Sequence, residues 1–290
     1  MTQSLAIPSP EAKGAEVAAA EAKAKTSSFY AGMKVLPKAE RAAMFAIYAF
    51  CRAVDDIADE QGLDPASRRR ELDAWRTDLA DLYAGGAGGR AAFLSEAVRR
   101  FGLRQADFLA VVDGMQMDVD QDIRAPEHAM LDLYCDRVAS AVGRLSVRVF
   151  GMAEAPGEAL AHHLGRALRL TNILRDLDED AAIGRFYLAR EWLDEARIEA
   201  RDPAALVAAP ALDRAARRCA AEARGHYRAA DAIMAQKPKG RLMAPRLMSA
   251  VYGRILMRME QQGWAPPRAR VSLSGGTKLM ILLRCSLGGL

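Results

Sequence analysis

Apolar residues recur at helical spacing through most of the chain, and the alternating pattern typical of strands is absent from the sequence. Residues 42–50 are almost entirely apolar, so the helix predicted over residues 39–60 should be buried rather than solvated. Residues 66–83 place several leucines and Trp75 on one stripe. The remaining predicted helices span residues 91–101, 106–121, 131–150, 158–180, 190–200, 211–235 and 245–262. This pattern predicts an all-α fold of roughly eight to ten helices.

No Pro-, Gly- or Ser-rich linker divides the chain into halves with separate patterns, which favours one folded domain. Residues 1–22 are rich in Ala, Glu and Lys and contain almost no large apolar side chains, so we predict a mobile N-terminal tail. The domain is predicted over residues 23–265. A basic C-terminal tail is predicted over residues 266–290, beginning at two consecutive prolines.

Two of the predicted helices carry polar side chains four positions apart. Asn172, Asp176 and Asp180 form one column, and Asp55 and Asp59 form the other. Carboxylates at this spacing repel one another by about 0.2–0.5 kcal/mol on an exposed helix, and by more in a dry interior. A cation would remove the repulsion, and oxygen ligands without His or Cys suit Mg²⁺, which bridges to substrate phosphates. The two columns therefore predict a diphosphate site.

Composition narrows the classes of partner and compartment. Hydrophobic residues make up 51% of the 290 residues and the formal net charge is +4, which is compatible with an anionic substrate or membrane surface. No basic stripe with interleaved aromatics is present, so no nucleic-acid partner is predicted. The cysteines are widely separated, which indicates reduced thiols in a cytoplasmic protein. The apolar run at residues 279–283 is too short to span a bilayer, so only peripheral contact with the inner face is predicted.

Two shorter segments carry candidate chemistry. Ser27 and Ser28 precede an apolar run and fit a helix N-cap, and the alternative that they also hold a phosphate stays open. The predicted helix over residues 131–150 contains Tyr134 near its start and is rich in small residues. Small side chains allow another helix or a ligand chain to approach closely.

Three motifs carry a resemblance to a known family. They are RAVDDIAD at residues 52–59, YCDRVASAVG at residues 134–143 and TNILRDLDED at residues 171–180, with Tyr187 and Leu188 just after. In order and spacing they resemble the squalene and phytoene synthase family of head-to-head prenyltransferases, over about residues 26–265. Relatives usually have Tyr-Leu-Pro where this chain has Ala189 after Tyr187 and Leu188, which puts the rigidity of that loop in doubt.

The resemblance implies a reaction. The wording of the motifs is most similar to family members that form presqualene diphosphate in bacterial hopanoid pathways. Two farnesyl diphosphates would condense head to head, with Mg²⁺, or Mn²⁺ as a substitute, held by four aspartates and supported by Asn172. The four are Asp55, Asp59, Asp176 and Asp180. NADPH is not expected, and downstream squalene-forming enzymes are possible partners.

The resemblance also implies roles for individual residues. Arg52, Ser27 and Ser28 would hold diphosphate, and Arg175 would offset the charge of the metal site. Tyr134 matches the family tyrosine of the proton-transfer region. A tyrosine with an unperturbed pKa of about 10 is a poor base, so released diphosphate is an alternative proton acceptor. Candidate wall residues of the apolar chamber are Phe29, Phe50, Met115, Val138 and Leu164.

Several alternatives remain beside this interpretation. A di-iron bundle needs Glu-x-x-His pairs, which are absent at the four histidines, so these are predicted to be structural or solvated. They are His128, His162, His163 and His226. A scaffold protein derived from the family would be expected to have lost its aspartates. Phytoene formation from geranylgeranyl diphosphate stays open because discrimination per methylene is only about 1–3 kcal/mol. Continuation to squalene or dehydrosqualene also stays open, because the missing Rossmann fingerprint does not exclude it: relatives that use NADPH lack one too.

Overall fold

The computed structural model describes residues 33, 36–60, 62–120 and 124–286. Ser27, Ser28, Phe29 and the tail predicted over residues 1–22 lie outside these residues. The described part contains thirteen α-helices and no strand, only an isolated bridge between Arg124 and Phe186. The helices are α1 Lys38–Asp59, α2 Pro65–Tyr83, α3 Ser95–Phe101, α4 Gln105–Asp120, α5 His128–Cys135, α6 Ala141–Val149, α7 Glu154–Arg175, α8 Leu177–Ala182, α9 Arg190–Glu195, α10 Pro203–Ala208, α11 Leu212–Ala235, α12 Met243–Gln262 and α13 Gly275–Ser286. The all-α prediction is confirmed, with more helices than the eight to ten expected.

Helix starts follow ordinary capping chemistry. Asp64 precedes Pro65, and its side chain accepts a hydrogen bond of 3.0 Å from the backbone amide of Ser67. Helix α10, which the apolar pattern did not predict, begins in the same way after Asp202 and at Pro203. A carboxylate at the N-cap satisfies free amides, and proline fits the first turn because its missing amide would have no partner there.

Four predicted helices differ from the expectation. The one over residues 190–200 is the shorter α9, which ends at Glu195. The one over residues 91–101 begins as a 3₁₀ turn, Gly89–Leu94, before α3. The one over residues 131–150 is α5 and α6 joined by a π turn, Asp136–Ser140. The one over residues 158–180 starts earlier and breaks at Asp176, whose backbone leaves helical geometry with φ −106° and ψ 19°. The single continuous helix expected over residues 158–180 is therefore wrong. The amide of Asp176 still donates to the carbonyl of Asn172 at 2.9 Å, and that of Asp180 donates to the carbonyl of Asp176 at 2.8 Å.

Glycines allow the neighbouring helices to lie unusually close to the π turn and to α6. A Cβ atom on Gly114 of α4 would lie 2.6 Å from Cγ1 of Val138, and one on Gly165 of α7 would lie 2.7 Å from the Cα of Ser140. On α6, a Cβ on Gly143 would lie 3.0 Å from the Cβ of Ala161. The expectation that small residues permit close approach of another helix is thus confirmed for this segment.

Two hydrophobic cores support the structure. One packs α7, α11 and α12 together, and the other packs α1, α2, α4 and α6, with Val138 touching both. Residues 266–290 were expected to form a basic tail, but Leu273 and Cys285 are buried in the first core. Arg268 also pairs with Asp178 at 2.6 Å. Residues 266–286, the described portion of this segment, therefore pack on the body of the protein.

The cysteines agree with the sequence interpretation. All four are free thiols, with Cys135, Cys219 and Cys285 buried and Cys51 partly exposed. Burial raises the pKa of Cys51 and of Cys135 to about 12, so both remain protonated. Among the described residues, no helix combines the length and the apolar character needed to cross a membrane.

Candidate active site

A largely apolar cavity of about 290 Å³ lies between the two cores. Its walls come from α1, the π turn, α6, α7 and the start of α12. Val138 and Leu164 line it as expected, whereas Phe50 and Met115 are buried outside it. Phe50 instead packs edge-on against Trp75 and Phe108 in the second core. The wall therefore combines a few larger aliphatic side chains with the small residues of α6, which leave the open volume.

Two polar side chains of α7 line this cavity. They are Arg169 and Asn172, which are three residues apart and so lie next to each other on the helix surface. Nε of Arg169 and Oδ1 of Asn172 are buried and have no hydrogen-bond partner among the described residues. A buried polar atom without a partner costs about 1–3 kcal/mol. The two atoms therefore mark a place where a ligand or ion would complete the bonding.

The first acidic face lies at the end of α1. Nη1 of Arg52 donates to Asp55 at 2.5 Å, and Nη2 donates to Asp56 at 2.7 Å. Asp59, one turn further, accepts from Arg185 at 2.7 Å. Burial raises the pKa of Asp55, with Arg52 opposing the rise and Asp59 adding to it. The face is thus an acidic turn balanced by arginine, and Arg52 binds carboxylates there.

The second acidic face lies at the break between α7 and α8. Asp176 pairs with Arg175 at 2.6 Å and with Arg270 at 2.8 Å. Burial raises the pKa of Asp180 to about 6, Arg169 opposes that rise and Asp176 adds to it. Arg175 lines a separate, smaller pocket with Arg270 rather than the apolar cavity. Its expected role of offsetting acidic charge fits the pairing with Asp176.

Two arginines connect the faces. The charge of Arg169 acts on both Asp55 and Asp180, since it lowers the pKa of each carboxyl. Arg185 binds Asp59 directly and also lowers the pKa of Asp180. Asp59 and Asp180 therefore share one electrostatic environment although they are far apart in sequence. The fold brings the two predicted faces to the same region.

Tyr134 belongs to a compact polar network beside these faces. Its hydroxyl donates to Asp118 at 2.8 Å, and that of Tyr187 donates to the other oxygen of Asp118 at 3.1 Å. The two tyrosine rings stack with centroids 5.2 Å apart. Arg169 donates to the Tyr134 oxygen at 2.7 Å, and its guanidinium lies about 5 Å from both ring centroids. Arg169 thus joins the network to the cavity.

Protonation in this network follows from burial. Burial raises the pKa of Asp118, while Arg185 and Arg169 oppose the rise. Burial also raises the pKa of Tyr134 well above its ordinary value, again with Arg169 in opposition. Tyr134 is therefore a protonated hydrogen-bond donor at neutral pH, as its interaction with Asp118 requires.

Sequence reasoning did not find Asp118, Arg169 or Arg185. A signal existed for Asp118, because it lies seven residues after the buried Val111 and three after the buried Met115. A carboxylate within an apolar stripe needs a partner, which its position could have suggested. Arg169 follows a similar logic on α7, between the buried Leu168 and Leu170. Arg185 lies in a loop, and its sequence context carries no comparable signal.

The donor types present fit a divalent cation, although no three of the carboxylates converge on one point among the described residues. The donors available are carboxylate oxygens of Asp55, Asp59, Asp176 and Asp180, with the unpartnered amide oxygen of Asn172 nearby on α7. Mutual repulsion and burial, which raise the pKa of Asp55 and Asp180, would be relieved by positive charge. Oxygen-only donors of this type match Mg²⁺ and Mn²⁺ better than softer metals.

Comparison with known families agrees with this geometry. The family model described as squalene/phytoene synthase matches residues 22–277. The chain belongs to the squalene/phytoene synthase family, and with it to the prenyltransferases. It is 56% identical over 287 residues, 98% of each chain, to the presqualene diphosphate synthase of Zymomonas mobilis subsp. mobilis. It is 52% identical to that of Rhodopseudomonas palustris, over 94% of this chain and 97% of the relative.

Solved structures agree on the fold. A dehydrosqualene synthase in complex with ligand superposes with a TM-score of 0.80 at 25% identity, covering 96% of this chain and 98% of that one. The squalene synthase HpnC of Alicyclobacillus acidocaldarius gives 0.74 at 23% identity, over 89% and 98% of the two chains. The all-α fold of the isoprenoid-synthase type is therefore confirmed.

Proposed function

We propose that this prenyltransferase condenses two molecules of farnesyl diphosphate head to head, giving presqualene diphosphate, one diphosphate and one proton. The observation that carries the proposal is an apolar cavity that begins beside two acidic faces sharing Arg169 and Arg185. The high identity to relatives named for this activity supports the choice of product.

Asp55, Asp59, Asp176 and Asp180 would hold Mg²⁺, with Asn172 supplying an amide oxygen, and Mn²⁺ could replace it. When bound, the metal acts as a Lewis acid that neutralises the departing diphosphate. The buried and unpartnered Oδ1 of Asn172 supports its assignment as a ligand.

The protein's own side chains would do the rest of the diphosphate binding. Arg52 already binds Asp55 and Asp56, so it is placed to exchange a carboxylate for a phosphate oxygen when substrate arrives. Arg169 has an unpartnered Nε beside the cavity and can donate to the same leaving group. Ser27 and Ser28 remain candidates for a further diphosphate contact.

Once diphosphate leaves, an allylic cation must survive until the second alkene attacks it. The cavity wall is apolar, with Val138, Val142 and Leu164 among its lining residues, so water is excluded from the reacting carbons. Arg169 carries a fixed positive charge at the cavity and would hold the released diphosphate near the cation. Alkene attack and loss of a proton then close the cyclopropane ring.

The hydrogen bonds of Tyr134 and Asp118 bear on which group accepts the proton that the substrate loses. Tyr134 keeps its own proton at neutral pH, and each oxygen of Asp118 already accepts a tyrosine hydroxyl. Neither group is free to take the substrate proton directly. Released diphosphate is then the base, and Arg169, whose Nε has no partner, orients it. Tyr134 accepts a hydrogen bond from the same guanidinium and so helps to position Arg169. NADPH has no part in this reaction, and squalene-forming enzymes would consume the product.

The test is to incubate purified protein with Mg²⁺ and farnesyl diphosphate and to identify the product by mass spectrometry. Presqualene diphosphate should accumulate, with no further conversion on addition of NADPH. Geranylgeranyl diphosphate is the matched alternative substrate. Phytoene from that substrate, together with no product from farnesyl diphosphate, would overturn the proposal.

We also propose a cytoplasmic location with peripheral contact at the inner membrane face. Helix α13 exposes Met280 and Leu283 on its surface, 57% and 55% exposed, beside Arg284. Exposed apolar side chains next to a cation suit an anionic lipid surface. Co-sedimentation with vesicles containing anionic lipid should fall when both apolar residues are changed to serine.

A further inference from the structure

Three of the four histidines form one cluster, on the side of α7 that packs against α11. His162 and His163 are consecutive on α7, and His226 is on α11. One ring nitrogen from each lies within 4.8 Å of the other two, and Nδ1 of His163 is 3.0 Å from Nδ1 of His226. His162 is exposed, and the other two are partly exposed. The sequence interpretation, that the histidines are structural or solvated, did not include this grouping.

We propose that His162, His163 and His226 form a binding site for one first-row transition-metal ion such as Zn²⁺, linking α7 to α11. Imidazole nitrogens suit Zn²⁺, Cu²⁺ and Ni²⁺ rather than Mg²⁺. The site is therefore chemically distinct from the oxygen ligands proposed to hold Mg²⁺. Three protein nitrogens would leave the fourth tetrahedral position to water.

The geometry needs only a small adjustment. Ring nitrogens around a tetrahedral Zn²⁺ are separated by about 3.3–3.4 Å, given Zn–N bonds of about 2.0–2.1 Å. One pair, His163 and His226, is already closer than this at 3.0 Å. The widest separation in the cluster, 4.8 Å, must close by about 1.5 Å. Rotation of the exposed His162 side chain can supply that movement without displacing either helix.

The protonation state also favours a metal. Burial lowers the pKa of His162 and His163, with Arg166 adding to the effect, and lowers that of His226 to about 4. Neutral imidazoles are the form that binds metals, so no net release of a proton is needed at neutral pH. The hydrogen shared between Nδ1 of His163 and Nδ1 of His226 must move to another ring nitrogen if both of these atoms bind the ion. The short contact between His163 and His226 also requires that at least one of them is neutral.

Arg166 is the group that opposes binding. Its Nη1 donates to Nδ1 of His162 at 2.9 Å, so this bond must be exchanged if the same nitrogen binds the ion. The guanidinium does not depend on that bond, because it is also paired with Asp132 at 2.6 Å and with Asp136 at 3.2 Å. These two carboxylates offset its charge, which would otherwise repel a cation.

The test uses the full chain without a histidine tag, stripped with a chelator and kept in excess Mg²⁺ so that the carboxylates are occupied. Titration calorimetry with Zn²⁺ should give one site per chain. His226→Ala and His163→Gln should each weaken binding by at least about tenfold, since even loss of groups that merely orient ligands costs 10–100-fold. His128→Gln is the matched control, because His128 lies outside the cluster and pairs with Glu222.

Two further readouts separate this site from others. Co²⁺ bound to the wild type should give the visible absorption of a tetrahedral nitrogen site, and Zn²⁺ should raise its melting temperature. Both effects should be absent in His226→Ala, whose folding is checked by circular dichroism. Zn²⁺ binding unchanged in both cluster variants, or lost in Asp55→Asn instead, would overturn the proposal.

Discussion

The two acidic faces solve the same electrostatic problem in different ways. Asp55 and Asp59 project from the end of an unbroken helix, and each is neutralised by an arginine at hydrogen-bond distance. Asp176 and Asp180 lie across a helix break, where only Asp176 has a direct arginine partner in the hydrogen-bond pattern. Asp180 accordingly has its pKa raised to about 6 by burial. Arginine balances the charge of the first face more completely than that of the second, so the proposed metal would matter most at Asp180.

The largest expected effect tests whether both faces serve one site. Asp55→Asn and Asp180→Asn should each lower kcat by about 10²–10³-fold or more, because each removes a proposed ligand of the metal that would neutralise the leaving diphosphate. Steady-state release of diphosphate measures this. Asp178→Asn is the control, since Asp178 is exposed and pairs with Arg268. Near-normal turnover in either site variant would show that the two acidic faces do not serve one site.

A second prediction concerns pH and the metal. Because the pKa of Asp180 is about 6, this carboxyl holds a proton below that pH and must release it to bind Mg²⁺. We expect the Kd for Mg²⁺ to rise by up to about tenfold per pH unit below pH 6, with little change between pH 7 and pH 8. Calorimetry at each pH measures it. A flat profile from pH 5 to pH 8 would contradict the role of Asp180.

A third prediction contrasts stability with activity. The folded pKa of Asp180 is raised above its unfolded value, so its contribution is fully favourable below about pH 4 and is lost as the pH rises through 6. Without metal, Asp180→Asn should therefore stabilise the protein by about 1 kcal/mol at pH 8 and by little near pH 4. Urea unfolding in chelator tests this, and Asp59→Asn, which breaks a bridge to Arg185, should not stabilise.

The smallest expected effect concerns the exposed partner of the second face. Arg270 is half exposed and pairs with Asp176, which Arg175 also neutralises. Arg270→Gln should therefore cost about 0–1 kcal/mol of stability. Turnover should change by less than about fivefold, because 1 kcal/mol corresponds to about a fivefold change in rate. A loss of turnover as large as that of Asp180→Asn would show that Arg270 acts on the substrate and does not merely pair with Asp176.

The sequence predicted those parts that depend on local periodicity. Apolar spacing located the long helices, and acidic spacing located both faces, because helical geometry fixes which residues share a side. The break at Asp176 was not predictable, since it depends on how α8 packs rather than on a proline or glycine. The charge partners of Arg169 and Arg185 were not predictable either, although the buried neighbours of Arg169 gave a signal that it needs a partner. Their partners, Asp55, Asp180 and Asp59, come from helices or turns whose contact only the fold creates.

The assignment of individual catalytic roles stays a prediction. Tyr134 was expected near proton transfer, and the structure adds Asp118 and Tyr187 as its partners. Ser27 and Ser28 lie outside the described residues. Arg52 was expected to hold diphosphate, and it faces carboxylates in the absence of substrate. These residues are defined by geometry, and turnover experiments must assign their chemistry.

The close approach of Gly165 to Ser140 has a consequence for precision. Backbone touches backbone there, so α7 cannot slide along its axis by even a fraction of a turn without a steric clash. Arg169 and Asn172 follow Gly165 by four and seven residues on the same helix. The position of Arg169 and Asn172 relative to the apolar cavity is therefore fixed by the contact of Gly165, which lies about one turn before Arg169 and has no side chain.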